Sequence, residues 1–579
     1  LKESLLEADK VVTDPVQTDV YLTRLECMVL DSPPMQRLRR VRQLGTTHLV
    51  YPGATHSRFS HVLGALRVAQ DLLDAVVDQR HGSGPADDLF GQWEADPEEY
   101  ERQVAEATVL ARMGALLHDL CHVPFGHTIE DDLGILEAHD KNVSRFEKLW
   151  SRFPDELRDA LPPDLVAALR PLILSKEKTS LSEPAKRYPF VADIVGNTIC
   201  ADLLDYLPRD HYYTGLPAKL GHRFVFGFYV TRTDHPYYSQ RMALRIMRRG
   251  RERDDAVSEL FKYLRYRYEL SERVLVHHAK LAADAMVGKG LEMWHDAMWI
   301  EEAKRAYPNI VNQSLSDIDA VRTIVHESNG PKPEELDSIV RSRIETEVLR
   351  RGDDGLLEHL LDFSERSARQ DKRLFGVQTL AGGLLYRRLF KLVGRCRSAR
   401  SNASQIYAIH GSPDSRRKLE EDAGKYAGLD NDWKVLVWIP APEMRLKAAE
   451  VLVDDGHKVT RLVDLDSTGP NRGREIYESH KALWAVTVFV HPTVTTEQRD
   501  VVLARLGQKL GGIKWDNLAA QPSVARLAAA NVGRAKRLPR HDEEVLALEA
   551  DGIAARGGGG TYQELVRQVA QIADARGQR

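Results

Sequence analysis

The chain has 579 residues, room for three or four domains at roughly 150 residues each. Its 81 Lys and Arg against 85 Asp and Glu give a formal charge of −4, which excludes a polycationic nucleic-acid binder. With 43% hydrophobic and 29% charged residues it is neither disordered nor fibrous, and its four cysteines (Cys27, Cys121, Cys200, Cys396) hold no CxxC pair, which excludes a disulfide framework and a thiolate zinc site.

The opening LKESLLEADKVVTD lacks the apolar core of a secretory signal, and no run of eighteen apolar residues follows. The chain is therefore expected to be cytoplasmic, with no membrane partner. Helical patterns cover 58–73, 107–119, 190–207, 255–285 and 378–395. In the second of these, Val109, Leu110, Met113, Leu116 and Leu117 line one helix face. FVFGFYV (224–230) and YSQRMALRIM (238–247), separated by a turn-like TRTDHP, predict a β-hairpin near 224–247. Residues 401–416 read as a linker. Beyond it, 434–439, 458–465 and 484–492 are strand-like, while 443–452 and 496–510 are helix-like. This alternation predicts a small α/β region over 417–515. The last stretch, 516–579, reads as a helical tail with a Gly-rich link, Gly557 to Gly560, and a Thr561–Glu564 capping box. The fold class is mainly α, with a small hairpin and a smaller α/β C-terminal region.

The chemistry concentrates in HDLCHVPFGH (118–127). Imidazole and carboxylate together suit a divalent first-row metal. Neighbouring helix positions are splayed by ~100°, so His118 and Asp119 converge on one ion only where a helix ends, which is where this pattern puts them. Upstream, His61 opens a helix in HSRFSHVLGAL (56–66), and Gly64 and Ala65 allow a second helix to pack closely. Downstream, Asp202, Asp205 and Tyr206 share one face of ADLLDYLPRD (201–210), and acidic residues in an apolar helix need a cation or a partner. His61, His118, Asp119 and Asp202 are the expected metal ligands, for Mn, Mg, Fe, Co, Ni or Zn. His122, His127 and His139 supply imidazoles for proton transfer nearby. Arg58, one turn before His61, is placed to grip phosphate.

These blocks resemble the HD-domain phosphohydrolase superfamily. The likeness is closest to its deoxynucleoside triphosphate triphosphohydrolase branch, through residues 31–64, HDLCHVPFGHTIE (118–130), ADLLDYLPRDHYYTG (201–215) and, more faintly, 267–280 and 384–393. The resemblance covers about 14–400. It implies a helical HD domain over 1–400 that hydrolyses dNTPs to deoxynucleoside and tripolyphosphate. It also implies a homo-oligomer and a nucleotide activator. By the same resemblance His122, His127, His139 and Asp140 lie beside the triphosphate, with His127 as acid/base. Arg58 and Arg267 contact phosphate, and Gln43, Leu44, Tyr206 and Asp210 surround the sugar. The chain departs from the family pattern at Ser60, Cys121, Gly126 and Asp140. It departs most at Leu203, where a basic residue is usual. Two other readings compete: an HD-type phosphodiesterase, phosphatase or nuclease, favoured by Leu203, and a nucleotide-sensing or nucleic-acid-binding module, drawn from the basic runs 37–42 and 245–254.

Overall fold

The computed structural model describes residues 3–78, 96–132, 135–174, 185–196, 199–221, 223–232, 240–248, 251–308, 318–328, 330–367, 372–442, 451–464, 472–516, 532 and 562–577. Strands β1 (Ala8–Asp14) and β2 (Thr18–Thr23) open the chain as an antiparallel hairpin. Val20 and Leu22 alternate inward while Asp19 and Tyr21 stay exposed, the period of two that a half-buried strand requires. Thr23 then caps helix Arg24–Leu30 in a reciprocal capping box with Glu26.

The functional end is built from three helices. Helix Arg58–Asp78 packs against helix Pro97–Leu117, whose apolar C-terminal half carries the buried Leu110, Met113, Leu116 and Leu117. Helix Ala201–Thr214 crosses Arg58–Asp78 at Gly64, where a Cβ would fall on the Asp205 carboxylate and the Arg209 guanidinium. Mainly helical architecture is thus what the structure shows.

Several expected helices are interrupted. The pattern over 190–207 resolves into Val191–Gly196 and Ala201–Thr214. That over 255–285 becomes Asp254–Leu270, a π turn at Ser271–Leu275 and Val-His at 276–277, then the long helix His278–Ala306. The stretch 378–395 is helical only to Leu385. Arg387 takes a left-handed φ of 55°, and Lys391–Cys396 is a strand whose burial runs partly in alternation. The stretch read as a linker, 401–416, carries helices Ala403–His410 and Pro413–Tyr426.

The hairpin near 224–247 is present but shorter. Residues 224–227 belong to a 3₁₀ turn, and β3 (Phe228–Arg232) pairs antiparallel with β4 (Gln240–Arg245). A two-residue ladder follows, β5 (Met247–Arg248) with β6 (Arg251–Glu252). β7 (Lys391–Cys396), β8 (Val435–Trp438) and β11 (Val486–Val490) form an antiparallel sheet in the order β7-β11-β8. β9 (Leu452–Asp454) and β10 (Val459–Arg461) extend the β3–β4 hairpin, with β9 running parallel to β4. Leu452 is therefore in a strand, while 443–450 of the expected helix lie outside the described residues. Helix Thr496–Lys509 forms as expected, behind a capping box at Thr495 and Gln498.

One large core runs through the helices and a smaller one fills the β7-β11-β8 sheet, with Val437, Val486, Val488 and Leu506 buried. Residues 1–515 form one compact unit and 516–579 a second. In the second, helix Tyr562–Gly577 is described, while Gly557 to Gly560 and Thr561 of the expected capping box lie outside the described residues. Among the described residues, no helix is long and apolar enough to cross a membrane.

Candidate metal centre and cavity

Helix Pro97–Leu117 ends at His118, and the chain turns at once, so His118 and Asp119 leave the helix side by side. Arg37, itself buried, fixes this exit by donating to the Leu120 and His122 carbonyls, 2.7 Å each. His61 enters from helix Arg58–Asp78 and Asp202 from the first turn of Ala201–Thr214.

The tautomers of both histidines follow from their partners. His61 Nδ1 lies 2.8 Å from Asp205 Oδ2 and His118 Nδ1 2.7 Å from the Ala115 carbonyl; both partners only accept, so both Nδ1 atoms carry hydrogen. In the neutral rings the two Nε2 lone pairs then face each other across 3.2 Å, with Asp202 Oδ1 at 3.1 Å from the first and 3.7 Å from the second. Asp119 adds Oδ2 at 3.9 Å from His61 Nε2 and Oδ1 at 3.4 Å from His118 Nε2. Converging lone pairs repel one another unless positive charge lies among them. Burial opposes charge on His61, yet Asp202 and Asp205 hold its pKa up at about 10. The donor set thus fits a divalent cation: two oriented imidazoles and two carboxylates.

Asp205 is not a candidate ligand. It is fully buried, orients His61, and is held by Arg209, which also reaches Asp14, and by Gln17 Nε2 at 2.9 Å. Sequence spacing placed Asp202 and Asp205 on one face, but only the packing at Gly64 tells which one is enclosed.

Next to the centre stands a second group. Arg58 Nη1 donates to Asp119 Oδ2 at 2.7 Å, so the expected phosphate-gripping Arg rests on a candidate metal ligand. His122 and His139 stack at 3.5 Å, and both Nδ1 atoms face Glu130 Oε2, at 3.3 and 3.2 Å. Glu130 is held in turn by Arg145 at 2.6 Å. Burial works against ionised Glu130, but His122 and His139 keep its carboxyl well below the usual range. Burial, then Arg58 and His139, push His122 down to about 4, which favours its neutral form. His127 is the exposed member, with its ring 4.9 Å from His122 and 5.4 Å from His139. Between them the backbone passes through Phe125 at φ 61° and Gly126 at φ 41°. For a bulky residue such as Phe125 this conformation costs about 1–3 kcal/mol, so the surroundings must enforce it.

A cavity of about 710 Å³ opens over both groups. Every expected site residue except the enclosed His61 lines it: the ligands His118, Asp119 and Asp202, the group His122, His127, His139 and Asp140, and Arg58, Gln43, Leu44, Tyr206, Asp210 and Arg267. Leu203 also lines it, as an apolar patch. Gln43 Oε1 is buried without a hydrogen-bond partner among the described residues, an acceptor open to a ligand hydroxyl. Asp210 accepts from buried His56 at 2.7 Å, a ring stacked on Tyr213. Lys280, which sequence reading left out, adds a buried cation paired with Asp284 at 2.6 Å. A second cavity of about 730 Å³ lies over Trp294, Met298 and Phe363. Of its lining only Glu347 and His359 offer metal-ligating atoms, too few for a candidate ligand set of three.

The mainly helical fold and the gathered H…HD…D residues accord with the chain's sequence likeness to proteins of the HD-domain phosphohydrolase superfamily. It is similar to human deoxynucleoside triphosphate triphosphohydrolase SAMHD1, 27% identical over 301 residues, 48% of this chain and 43% of that protein. It is 27% identical over 290 residues to protein YwfO of Bacillus subtilis, 49% of this chain and 55% of that protein. To protein MJ1154 of Methanocaldococcus jannaschii it is 29% identical over 206 residues, 36% and 34% of the two chains. The chain spans about half or less of the length of these curated relatives. No family model matches it.

Proposed function

We propose that the chain is a metal-dependent dNTP triphosphohydrolase, releasing deoxynucleoside and tripolyphosphate. The observation that carries this reading is the pair of Nε2 lone pairs converging with Asp202 and Asp119 at the floor of a nucleotide-sized cavity. Likeness to SAMHD1 supports the substrate class.

His61, His118, Asp119 and Asp202 hold the cation. A divalent ion held there would polarise a phosphoryl oxygen and supply the acidity that hydrolysis needs. The remaining work falls to side chains. Arg58 and Arg267 offset charge on the phosphates, Arg58 by exchanging part of its contact with Asp119. His127, the exposed imidazole, hands a proton to the leaving oxygen or takes one from the attacking water. His122 and His139, fixed by Glu130 and Arg145, set the position of the ring beside them, and Asp140 completes that wall. On the sugar side, Asp210 accepts from the 3′-hydroxyl, Tyr206 packs on the deoxyribose, and Gln43 and Leu44 line the sugar and base. A ribose would have to bury its 2′-hydroxyl without a partner. The remaining expectations, a nucleotide activator and a homo-oligomer, belong to the same proposal.

The test is turnover by the purified full chain with Mn²⁺, Mg²⁺ or Co²⁺ against a panel of dNTPs and NTPs, with products separated by chromatography. Intact tripolyphosphate from a dNTP supports the reading. Leu203 favours a second one, since an apolar wall where the phosphates lie weakens the triphosphate grip. Release of monophosphate alone, or equal use of ATP and dATP, would establish that second reading, an HD-type phosphodiesterase, phosphatase or nuclease.

A further inference from the structure

We propose that Asp353 is a positioning residue for this site: one carboxylate, from a helix that contributes nothing to the cavity lining, ties the sugar wall to the proton-transfer wall. Asp353 opens helix Asp353–Ser367 and is fully buried. Its Oδ2 accepts from the Arg42 backbone N–H at 2.7 Å and its Oδ1 from the Phe125 backbone N–H at 2.6 Å. Arg42 directly precedes Gln43 and Leu44. Phe125 stands two residues before His127, at the start of the left-handed turn with Gly126.

The two walls run side by side here, since a Cβ on Gly45 would sit 3.5 Å from the Phe125 carbonyl oxygen. Gly352 is pressed against Arg40 so closely that a Cβ would collide with its carbonyl, which leaves the helix start no slack. A carboxylate that only capped its own helix would spend its oxygens on that helix's amides. These oxygens go to two other segments, remote in sequence from Asp353 and from each other. The charged groups facing it are Arg42, whose Nη1 lies 3.8 Å away, and Asp354, which takes most of the Arg42 guanidinium. The Phe125 segment offers only its backbone. Burial pushes the Asp353 carboxyl up to about 6, against the pull of the two amides and Arg42. Protonation puts a hydroxyl where an amide expects an acceptor and so releases one wall.

This inference rests on the dNTP reading of the cavity, so its test has one arm free of substrate. In the full chain, Asp353→Asn should speed amide exchange in 40–46 and 119–128 while protection elsewhere is unchanged. With Mn²⁺ and dGTP the same variant should keep wild-type Mn²⁺ content, lose about tenfold or more in kcat, and lack the kcat limb near pH 6 that is expected of the wild type. Should the variant not fold, the wild type alone decides. Exchange in those two segments, corrected for intrinsic rates, should rise as pH falls through about 6 and stay flat elsewhere. Unchanged exchange and kinetics overturn the proposal, as does faster exchange throughout the chain with kcat per folded molecule intact. A wild type that turns over no dNTP defeats the functional reading instead, and exchange alone then decides whether the clamp exists.

Discussion

Lys289, Glu292, Arg416 and Glu420 bury two cation–carboxylate pairs between helices His278–Ala306 and Pro413–Tyr426, and His61, His118, Asp119 and Asp202 gather at a cavity floor in the same unit. In the first group both Glu420 oxygens have donors, Lys289 Nζ at 2.9 Å and the Val437 N–H at 2.8 Å, and Glu292 takes Arg416 at 2.7 Å. In the second, Arg58 serves Asp119, but the Asp202 carboxylate and the two imidazole Nε2 atoms converge with no Lys or Arg contact seen among the described residues. Burial of charge therefore does not by itself mark a candidate metal site; what marks this one is metal-ligating atoms converging on one point.

Removing one partner from each group should break the chain in different ways. The largest effect is expected at Asp119→Ala, which should abolish metal uptake and turnover while the helical circular dichroism survives. Elemental analysis showing wild-type metal in that variant would return Asp119 to the structural class. His127→Ala should keep metal and nucleotide binding and lower kcat by roughly 10²–10⁴-fold, the usual scale for a general acid or base. If kcat holds, the proton passes instead through His122 or His139. A smaller effect separates sugars. Burying an unpaired 2′-hydroxyl costs about 1–3 kcal/mol, so dNTPs should be preferred over NTPs by at least about tenfold in kcat/KM. Equal values would empty the sugar wall of its role. Glu420→Ala should leave kcat per folded molecule unchanged. It leaves Lys289 buried without its carboxylate, and the loss should appear as about 3–5 kcal/mol in denaturant unfolding. A loss of turnover there would erase the contrast between the two groups.

The candidate site was legible because its parts are local. His118-Asp119 at a helix end, Asp202 one helix face from Tyr206, and Arg58 a turn before His61 are all spacings within a few residues, and spacing is what sequence displays. Who faces whom was not. Asp205 shares its helix face with Asp202, but closing on it at Gly64 is a property of two helices. Glu130 stood inside the block 118–130 without showing that it would seat two imidazoles, and Asp353 lies over two hundred residues from the loop it holds. The fold shows the same division. Helix and strand periods located most elements, but LFKLVGRC is apolar enough to satisfy either period. There β7 is decided by its antiparallel neighbour β11, nearly a hundred residues later.

The parallel join of β9 to β4 has a consequence for how the chain is made. Ala243 to Arg245 find their partners at Leu452 to Asp454, about 200 residues further on, and Ile246 donates to the Asp454 carbonyl. A ribosome adding ~5–20 residues per second leaves that edge of the β3–β4 ribbon open for about 10–40 s. During synthesis it is a bare row of amides and carbonyls beside the apolar Met242 and Leu244, the kind of edge on which nascent chains stick to one another. Yield in a recombinant host should therefore respond to translation speed and to chaperone supply, and slower elongation before residue 452 should lower it.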